Sequence, residues 1–296
     1  MPEEGMVWMP REQILTFEEI ERVARLMVTR YGIQSIRLTG GEPTVRAHLP
    51  VLVEKLARLD TDLALTTNGV SLRLLANDLV VAGLRRINIS LDTFDRDKFL
   101  TMTRRDELNR VLDGIDAALE AGLDPVKINV VVMRDRNDDE LVAFAEFGRR
   151  KGVVVRFIEF MPLDADGAWS GRSVVSQQEI VERIGAVYPL VPVTRGSAPA
   201  TRFRYVDGKG EIGIVASVTQ KFCDTCDRVR LTADGQFRNC LFAVDEFDLR
   251  GLLRNGATDD QIADLLERAV TAKWAGHGIG EVNFIRPHRT MSQIGG

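Results

Sequence analysis

The sequence predicts an α/β protein built as an incomplete (β/α) barrel, followed by a C-terminal region with a chemistry of its own. Two observations lead to this prediction. Short β-branched runs alternate with longer amphipathic segments five times in the first half of the chain, and all three cysteines lie between Lys221 and Cys240. Strand and helix alternation at this pitch gives a parallel sheet, and five successive units favour a full or partial barrel. We therefore predict a partial barrel over residues 1–165 and a separate C-terminal region over residues 166–296.

The elements of the barrel follow one another in order. A capping box from Thr16 to Glu19 opens a helix that ends at Tyr31, just before Gly32. The predicted strands after it are 34–39, 62–67, 86–91, 126–133 and 153–160. The predicted helices between them are 49–59, 72–82, 108–121 and 138–151.

Composition excludes several classes of protein. The 296 residues carry a formal net charge of −4, which argues against a nucleic acid as the main partner. No apolar run approaches the length that spans a membrane, and residues 1–10 resemble neither a signal peptide nor a transit peptide. The few cysteines are clustered, which is typical of a protein of the reducing cytoplasm.

The cysteine segment is the strongest candidate for chemistry. Cys223 and Cys226 form a C-x-x-C pair, and Cys240 follows a predicted hairpin that turns at Asp234 and Gly235. A structural zinc site needs four ligands, whereas a [4Fe–4S] cluster held by three cysteines leaves one iron open for a ligand. The histidines that could complete a zinc site are distant in sequence: His48, His277 and His288. A redox pair or buried free thiols are the alternatives.

Polar side chains occupy one face of the predicted strands. Alternate strand residues of a barrel face its interior, which is ordinarily filled by branched apolar side chains. Here that face carries Arg37, Thr39, Asn88, Ser90, Asp92, Lys127, Asn129 and Arg156. Three cations on three strands would be costly to bury without counter-charge, so either Asp92 and Glu159 neutralise them or a polyanionic ligand does. An internal ion-pair network is one interpretation, and a bound triphosphate suits the excess positive charge better.

Two loops follow the ends of predicted strands, where barrel active sites are built. In the loop Gly40-Gly41-Glu42-Pro43, the paired glycines let the backbone approach a ligand, and Glu42 could accept a hydrogen bond from an ammonium group or a ribose hydroxyl. The loop 66–69, with the sequence TTNG, ends the next strand. Ordinary turns would have similar sequences.

Together these segments occur in the order seen in one family. They are GGEP at 40–43, TTNG at 66–69, NISLD at 88–92, KIN at 127–129, RFIEFMP at 156–162, C-x-x-C-D-R-V-R at 223–230 and GG at 295–296. The chain resembles the GTP 3′,8-cyclases, the molybdenum cofactor biosynthesis protein A family of radical S-adenosylmethionine (SAM) enzymes. The resemblance runs over essentially the whole chain. It implies a radical SAM type of incomplete barrel and a C-terminal [4Fe–4S] cluster, with GTP bound between them.

The resemblance also implies the roles of individual residues. The SAM contacts would be Gly41, Ser90 and Met161. The GTP contacts would be Arg37, Thr66, Lys127, Arg156, Arg228, Val229 and Arg230. The ligands of the C-terminal cluster would be Cys223, Cys226 and Cys240, and residues acting in catalysis would be Arg228, Arg230, Gly295 and Gly296.

In the family, a 5′-deoxyadenosyl radical takes hydrogen from ribose C3′ of GTP, and the resulting carbon radical attacks C8 of guanine. The product, 3′,8-cyclo-7,8-dihydro-GTP, passes to cyclic pyranopterin monophosphate synthase in the first steps of molybdenum cofactor biosynthesis. By this resemblance we expect a cytoplasmic enzyme whose ligands are GTP, SAM and two [4Fe–4S] clusters, with a homodimer as its candidate assembly.

The sequence departs from the family pattern at two places. Asp227 stands where the family usually has Asn and adds a negative charge beside the cluster ligands. The larger departure is the absence of the C-x-x-x-C-x-x-C motif that holds the SAM-cleaving cluster, since residues 1–5 resemble the family's segment directly after the last cysteine of that motif. We therefore expect that the chain as given starts late, lacks the first barrel strand and cannot cleave SAM. The alternative is a shortened, non-catalytic homologue that binds GTP or a cluster.

Overall fold

A computed structural model of the chain describes residues 9–163, 167, 169–193, 198–274, 276, 278–279 and 284–295. Its strands are β1 Ser35–Leu38, β2 Asp62–Thr67, β3 Arg86–Ser90, β4 Val126–Val132, β5 Val154–Glu159, β6 Leu190–Val193, β7 Thr201–Tyr205, β8 Glu211–Val215, β9 Arg230–Leu231, β10 Gln236–Arg238 and β11 Phe247–Asp248. Its α-helices are α1 Phe17–Tyr31, α2 Leu49–Ala57, α3 Leu72–Val81, α4 Arg96–Thr103, α5 Leu108–Glu120, α6 Leu141–Lys151, α7 Gln177–Gly185, α8 Leu249–Arg254, α9 Asp259–Thr271 and α10 Met291–Ile294.

One open sheet organises most of the described chain. Its strand order is β1-β2-β3-β4-β5-β8-β7-β6, and the first six strands in this order run parallel to one another. The hairpins β8-β7 and β7-β6 are antiparallel and form the far edge. The predicted α/β class with an incomplete barrel is therefore confirmed. Strands β6 to β8 continue the sheet beyond residue 165, so the predicted two-region division remains a prediction.

Local sequence explains where the elements begin and end. Thr16 and Glu19 form the predicted capping box at the start of α1, and Gly32 ends the helix in the left-handed conformation. All five predicted strands of the first half are present with small shifts at their ends. Helix α4 was not predicted, because its apolar face is limited to one buried residue, Phe99; Asp95 caps its first turn.

The core lies between the sheet and its helices. In α5, the buried positions follow a spacing of three and four residues: Leu108, Val111, Ile115 and Ala118. They pack against the outward positions of the strands, and each large aliphatic side chain contributes roughly 1.5–3 kcal/mol by burial. A second apolar cluster joins α1 to α8, α9 and the three-stranded sheet β11-β10-β9. The cysteine segment is thereby fixed to the first helix of the barrel.

Helices long and apolar enough to cross a membrane are absent from the part of the chain that the structure describes.

A close approach between α5 and the loop after β2 holds the loop 66–69 in place. A Cβ atom added at Gly114 would lie 2.2 Å from the carbonyl oxygen of Gly69. Gly69 itself has φ +83°, a backbone conformation that residues with a Cβ atom rarely adopt. Helix α5 therefore packs closely on the loop that follows Thr66, a predicted ligand contact, and glycine is needed on both sides of the approach.

We expect Gly114→Ala to destabilise the protein by about 1–3 kcal/mol, because the added methyl group meets a backbone oxygen and not a flexible side chain. Gly185→Ala in α7 is the matched control, since an added Cβ there has no neighbour within 4 Å and alanine is the better helix former. Urea denaturation followed by circular dichroism measures both variants. Equal stabilities for the two variants would contradict the close packing of α5 on this loop.

Candidate functional site

The inner face of the sheet presents two rows of polar side chains. Register aligns Thr66, Asn88 and Lys127 across β2, β3 and β4. The next row aligns Ser90 with Asn129, and Asn129 with Arg156. The neighbouring residues of opposite parity point into the apolar core, as the sequence predicts.

Arg156 is the most deeply buried cation of this face and is 8% exposed. Its Nη2 donates a hydrogen bond of 3.0 Å to Asn88 Oδ1, and Asn88 Nδ2 donates one of 3.1 Å to Thr66 Oγ1. Burial lowers the pKa of Arg156 to about 10, and the charges of Arg37 and Arg86 add to the shift. The guanidinium is thus held by neutral groups in a positive environment.

Arg37 and Lys127 lack any hydrogen bond or ion pair to a residue that the structure describes. Burial, followed by the charges of Arg156 and Arg86, lowers the pKa of Lys127 to about 8. The pKa of Arg37 is also lowered by burial, and then by the charges of Arg86 and Arg228. Three cations converge here without an acidic partner among the described residues, an arrangement that favours an anionic ligand.

The two acids that could neutralise these cations, Asp92 and Glu159, instead accept hydrogen bonds from the backbone. Asp92 accepts a hydrogen bond of 2.7 Å from the backbone N–H of Val131, and burial raises its pKa to about 6. Glu159 is fully buried and accepts backbone hydrogen bonds from Gln177, Val218 and Thr219. Within the described residues, Arg37, Lys127 and Arg156 therefore form no direct ion pair with an acid, although the charge of Asp62 acts on Arg37 and that of Glu211 on Lys127.

Sequence reasoning missed one inward-facing cation, Arg86. It has the same parity as Asn88 and Ser90, so the signal was present in the strand pattern. Arg86 forms an ion pair of 2.5 Å with Asp62 on β2, and this partner distinguishes it from the three cations without one. We assign it a structural role, with an electrostatic effect on its neighbours.

Glu42 joins the two strand-end loops. Glu42 Oε1 accepts hydrogen bonds from Thr44 and Thr67, and Glu42 Oε2 accepts one of 2.6 Å from the backbone N–H of Asn68. Both oxygens are therefore engaged within the protein, and the expected role of Glu42 in binding an ammonium group or a ribose hydroxyl stays a prediction. Gly41, beside it, is exposed at the end of β1.

The cysteine segment has the predicted hairpin geometry. Strands β9 and β10 pair around a turn in which Gly235 has φ +78°. Cys226 N donates to Cys223 O at 3.0 Å, closing the C-x-x-C turn. Lys273 Nζ donates to the carbonyl oxygens of Cys226 and Arg228 at 2.7 and 3.1 Å, so this turn is tied to the segment after α9.

The three cysteines are half-buried free thiols that border one region. Cys226 and Cys240 both act electrostatically on Arg230. The Sγ of Cys223 lies 4.0 Å from the position of a Cβ on Gly276, and Gly276 lines the same cavity as Cys240. Although burial alone would raise the pKa of Cys226, hydrogen bonds and charge from Arg228, with the charge of Lys273, lower it overall. This electropositive setting suits thiolate ligands.

These thiols do not form the ligand set of a single metal ion. Within the described ranges, no three His, Cys, Asp or Glu side chains gather closely enough to hold one ion. His48 and His288 are exposed and His277 lies outside the described residues, so the structure gives no support to a zinc site. A [4Fe–4S] cluster distributes its cysteines over different irons and so spaces them farther apart. The donor set of three thiols fits such a cluster.

Arg228 and Arg230 follow the C-x-x-C pair in sequence, and Arg230 begins β9. Arg228 is stacked 5.1 Å from the ring centre of Phe222. Burial lowers the pKa of Arg230 to about 10, and the charge of Arg228 adds to the shift. Arg230 Nη1 donates to the carbonyl oxygen of Gly295 at 2.5 Å. The charge of Arg228 also contributes to the lowered pKa of Arg37, so this segment lies near the cations of the sheet.

Gly295 lies against the loop after β1. Its φ is +84°, and an added Cβ would be 2.8 Å from Thr39 Cγ2. Both the backbone conformation and the available space therefore require glycine at this position. Gly296, the other half of the predicted motif, lies outside the described residues.

The remaining predicted contacts fall into two groups. Gly41, Ser90 and Met161 follow or end β1, β3 and β5, so they share the carboxyl edge of the sheet. Met161 packs in the same apolar cluster as Cys240. The Val229 side chain instead packs in the cluster of α1, α8 and α9, so only its backbone could face a ligand.

Two family models match the sequence. A radical SAM superfamily model matches residues 4–148, and a Molybdenum Cofactor Synthesis C model matches residues 153–279. Among solved structures, archaeal TYW1 is 15% identical, with a TM-score of 0.46 over 71% of this chain and 73% of that chain. At that score the family assignment rests on sequence relatives alone.

Relatives named GTP 3′,8-cyclase align with the whole chain. The protein from Rhodopirellula baltica is 46% identical over 303 residues, covering 100% of this chain and 84% of its own length. That from Corynebacterium glutamicum is 47% identical over 309 residues, with 100% and 82% covered. That from Streptomyces coelicolor is 46% identical over 301 residues, with 100% and 88% covered. The chain therefore belongs to the GTP 3′,8-cyclase family of radical SAM enzymes.

Proposed function

We propose that this protein acts as a GTP 3′,8-cyclase, joining ribose C3′ of GTP to C8 of guanine to give 3′,8-cyclo-7,8-dihydro-GTP. The observation that carries the proposal is the group of inward-facing cations without an acidic partner among the described residues, opposite a three-cysteine segment. The composition of the ligand is inferred from this pairing, since the cations suit phosphates and a cluster held by the cysteines suits a heterocycle that can bind an open iron.

The triphosphate is held by Lys127, Arg156 and Arg37. Arg156 keeps its fixed orientation through Asn88, so its remaining N–H groups can meet phosphate oxygens as a planar fork. Lys127 supplies a point charge beside it, and Thr66 supplies a hydroxyl in the same row. Binding the anion would restore the positive charge that burial disfavours on Lys127.

The guanine end lies at Cys223, Cys226 and Cys240. When bound there, a [4Fe–4S] cluster offers one open iron to the purine. Arg228, Val229 and Arg230 bind the nucleoside beside it, and the arginines, with Gly295 and Gly296, hold the reacting atoms and exclude water. The structure describes this end of the site up to Gly295.

The SAM side is assigned to Gly41, Ser90 and Met161 at the carboxyl edge of the sheet. Family membership implies a second [4Fe–4S] cluster that binds SAM. The 296 residues contain three cysteines, all in the segment assigned to the first cluster, so no residue set in this sequence fits the second one. We therefore assign no chemical step to a second cluster.

That cysteine count favours a second candidate function, a GTP- and cluster-binding protein without radical chemistry. The two functions share every residue of the GTP site and differ in SAM cleavage. Formation of 5′-deoxyadenosine by this chain with SAM and dithionite would exclude the second function, whereas a lack of it is expected of the 296-residue chain under either function. In the proposed pathway, the cyclised nucleotide passes to cyclic pyranopterin monophosphate synthase, and the enzyme works in the cytoplasm as a homodimer.

The first test concerns the cluster. Anaerobic reconstitution of the 296-residue chain should give about four irons per chain, because three thiolates hold one [4Fe–4S] cluster. Cys240→Ala should lower the iron content, measured colorimetrically with the absorbance of the cluster. A stoichiometric zinc content that Cys240→Ala leaves unchanged would contradict the assignment.

A second test concerns the phosphate contacts. Lys127→Ala should weaken GTP binding by on the order of 1–3 kcal/mol, as expected for a charge-assisted contact. GMP binding should change much less, because GMP lacks the two outer phosphates. Isothermal titration calorimetry with both nucleotides measures the difference, and equal losses would return these cations to a purely structural role.

A third test uses the pKa of Lys127. In the free protein this group loses its proton as the pH rises through about 8, and a bound triphosphate raises its pKa again. GTP binding at about pH 8.5 should therefore take up a proton, and affinity should fall as pH rises. Calorimetry in two buffers of different ionisation enthalpy measures the uptake. Lys127→Arg is the control, since arginine stays charged and should bind GTP without that uptake.

A further inference from the structure

The C-terminal segment 284–295 runs from the cysteine region to the end of β1. Met291 N donates to the carbonyl oxygen of Leu163 at 3.1 Å, and Ile294 is 4% exposed in an apolar cluster with Leu163 and Phe242. Helix α10 is therefore docked onto the residues that follow β5. Gly295 comes directly after it.

Arg289 clamps the start of this segment to two acids. Its Nη1 and Nη2 donate to the two carboxylate oxygens of Asp234 at 3.0 and 2.8 Å. The same guanidinium meets Glu246 through Nη2 at 2.8 Å and Nε at 2.7 Å. The three side chains are 19%, 13% and 22% exposed, so the clamp is partly shielded from water. Bidentate contacts of this kind fix the orientation of the arginine side chain as well as its position.

Both acids belong to the structure around the β9–β10 hairpin. Asp234 forms its turn, and Glu246 also binds Arg238, a buried residue of β10. Arg230 begins the other strand of the hairpin. The β9–β10 hairpin therefore holds the C-terminal segment at two points. The turn of the hairpin binds Arg289, and its first residue, Arg230, binds Gly295.

The orientation of the Arg230 side chain depends on the contact with Gly295. The carbonyl oxygen of Gly295 is the acceptor that binds its guanidinium, and the described residues offer it no other hydrogen bond or ion pair. A guanidinium carries its five N–H groups in one rigid plane, so a single fixed bond restricts where the others point. Without the Gly295 carbonyl, the side chain could rotate among its ordinary rotamers.

We propose that Arg289 is a positioning residue for Arg230. By clamping the C-terminal segment to the hairpin turn, it keeps the Gly295 carbonyl on the Arg230 guanidinium and so directs the free N–H groups of Arg230 toward the ligand. The proposal rests on the proposed function for the identity of that ligand, GTP. The clamp itself is independent of it.

Hydrogen exchange tests the clamp. In Arg289→Met, the backbone amides of residues 291–295 should exchange at least about tenfold faster, while those of α9 keep their rates. Arg289→Lys retains the charge without the two-pronged geometry and should lie between Met and wild type. Arg134→Met, which removes the pair with Glu179 at a distance from this segment, is the control and should leave residues 291–295 unchanged. Unchanged exchange at 291–295 in a folded Arg289→Met would overturn the proposal.

A double-mutant cycle tests the action through Arg230. Arg289→Met should weaken GTP binding roughly threefold to tenfold in the wild-type background and have no further effect in Arg230→Met. Partial recovery in Arg289→Lys would support the same conclusion. Additive effects of the two substitutions would show that Arg289 acts elsewhere and would overturn the proposal. If the unaltered chain binds no GTP, the proposed function fails, and the exchange rates still decide whether the clamp exists.

Discussion

The site depends on the cost of removing unpaired positive charge from water. Arg37, Lys127 and Arg156 lie on adjacent or nearby strands, and burial lowers the pKa of each. A folded protein tolerates such an arrangement only when the rest of the core is well packed, because each desolvated cation is unfavourable. The apolar layer between the sheet and its helices supplies that packing. The inner face is thereby available for a ligand whose charge offsets the desolvation.

The two acids near the inner face show why the charge is left uncompensated. Asp92 accepts a hydrogen bond from the backbone of β4, and Glu159 accepts hydrogen bonds from the backbone of two segments, at Gln177 and at 218–219. Glu159 thus anchors the chain that leads to the cysteines, and its charge is satisfied by backbone N–H groups and a threonine hydroxyl. Carboxylates that build the frame are unavailable to the cations, so structural order and ligand affinity are provided by different residues.

Sequence periodicity predicted the sheet well because the alternation of apolar and polar residues is a local property of each strand. It also identified Arg37, Lys127 and Arg156, since parity places them on one face. Helix α4 was missed because its cap and single buried phenylalanine carry little periodicity. The partners of Glu42, Asp92 and Arg86 were not predictable, since each lies on another strand or loop and pairing depends on tertiary register. Predicted ligand contacts such as Gly41, Ser90 and Met161 share the right edge and remain predictions.

Gly295 shows how a residue without a side chain can be held in place. A terminal glycine is ordinarily dispensable, because it has no side chain with which to pack. Gly295 is instead fixed from three sides, by α10 through Met291, by the tight contact with Thr39 and by Arg230. Only glycine has both the backbone freedom and the small volume for that position. A glycine fixed in this way brings its backbone carbonyl oxygen to the guanidinium of Arg230, where the Cβ of a larger residue would clash with Thr39.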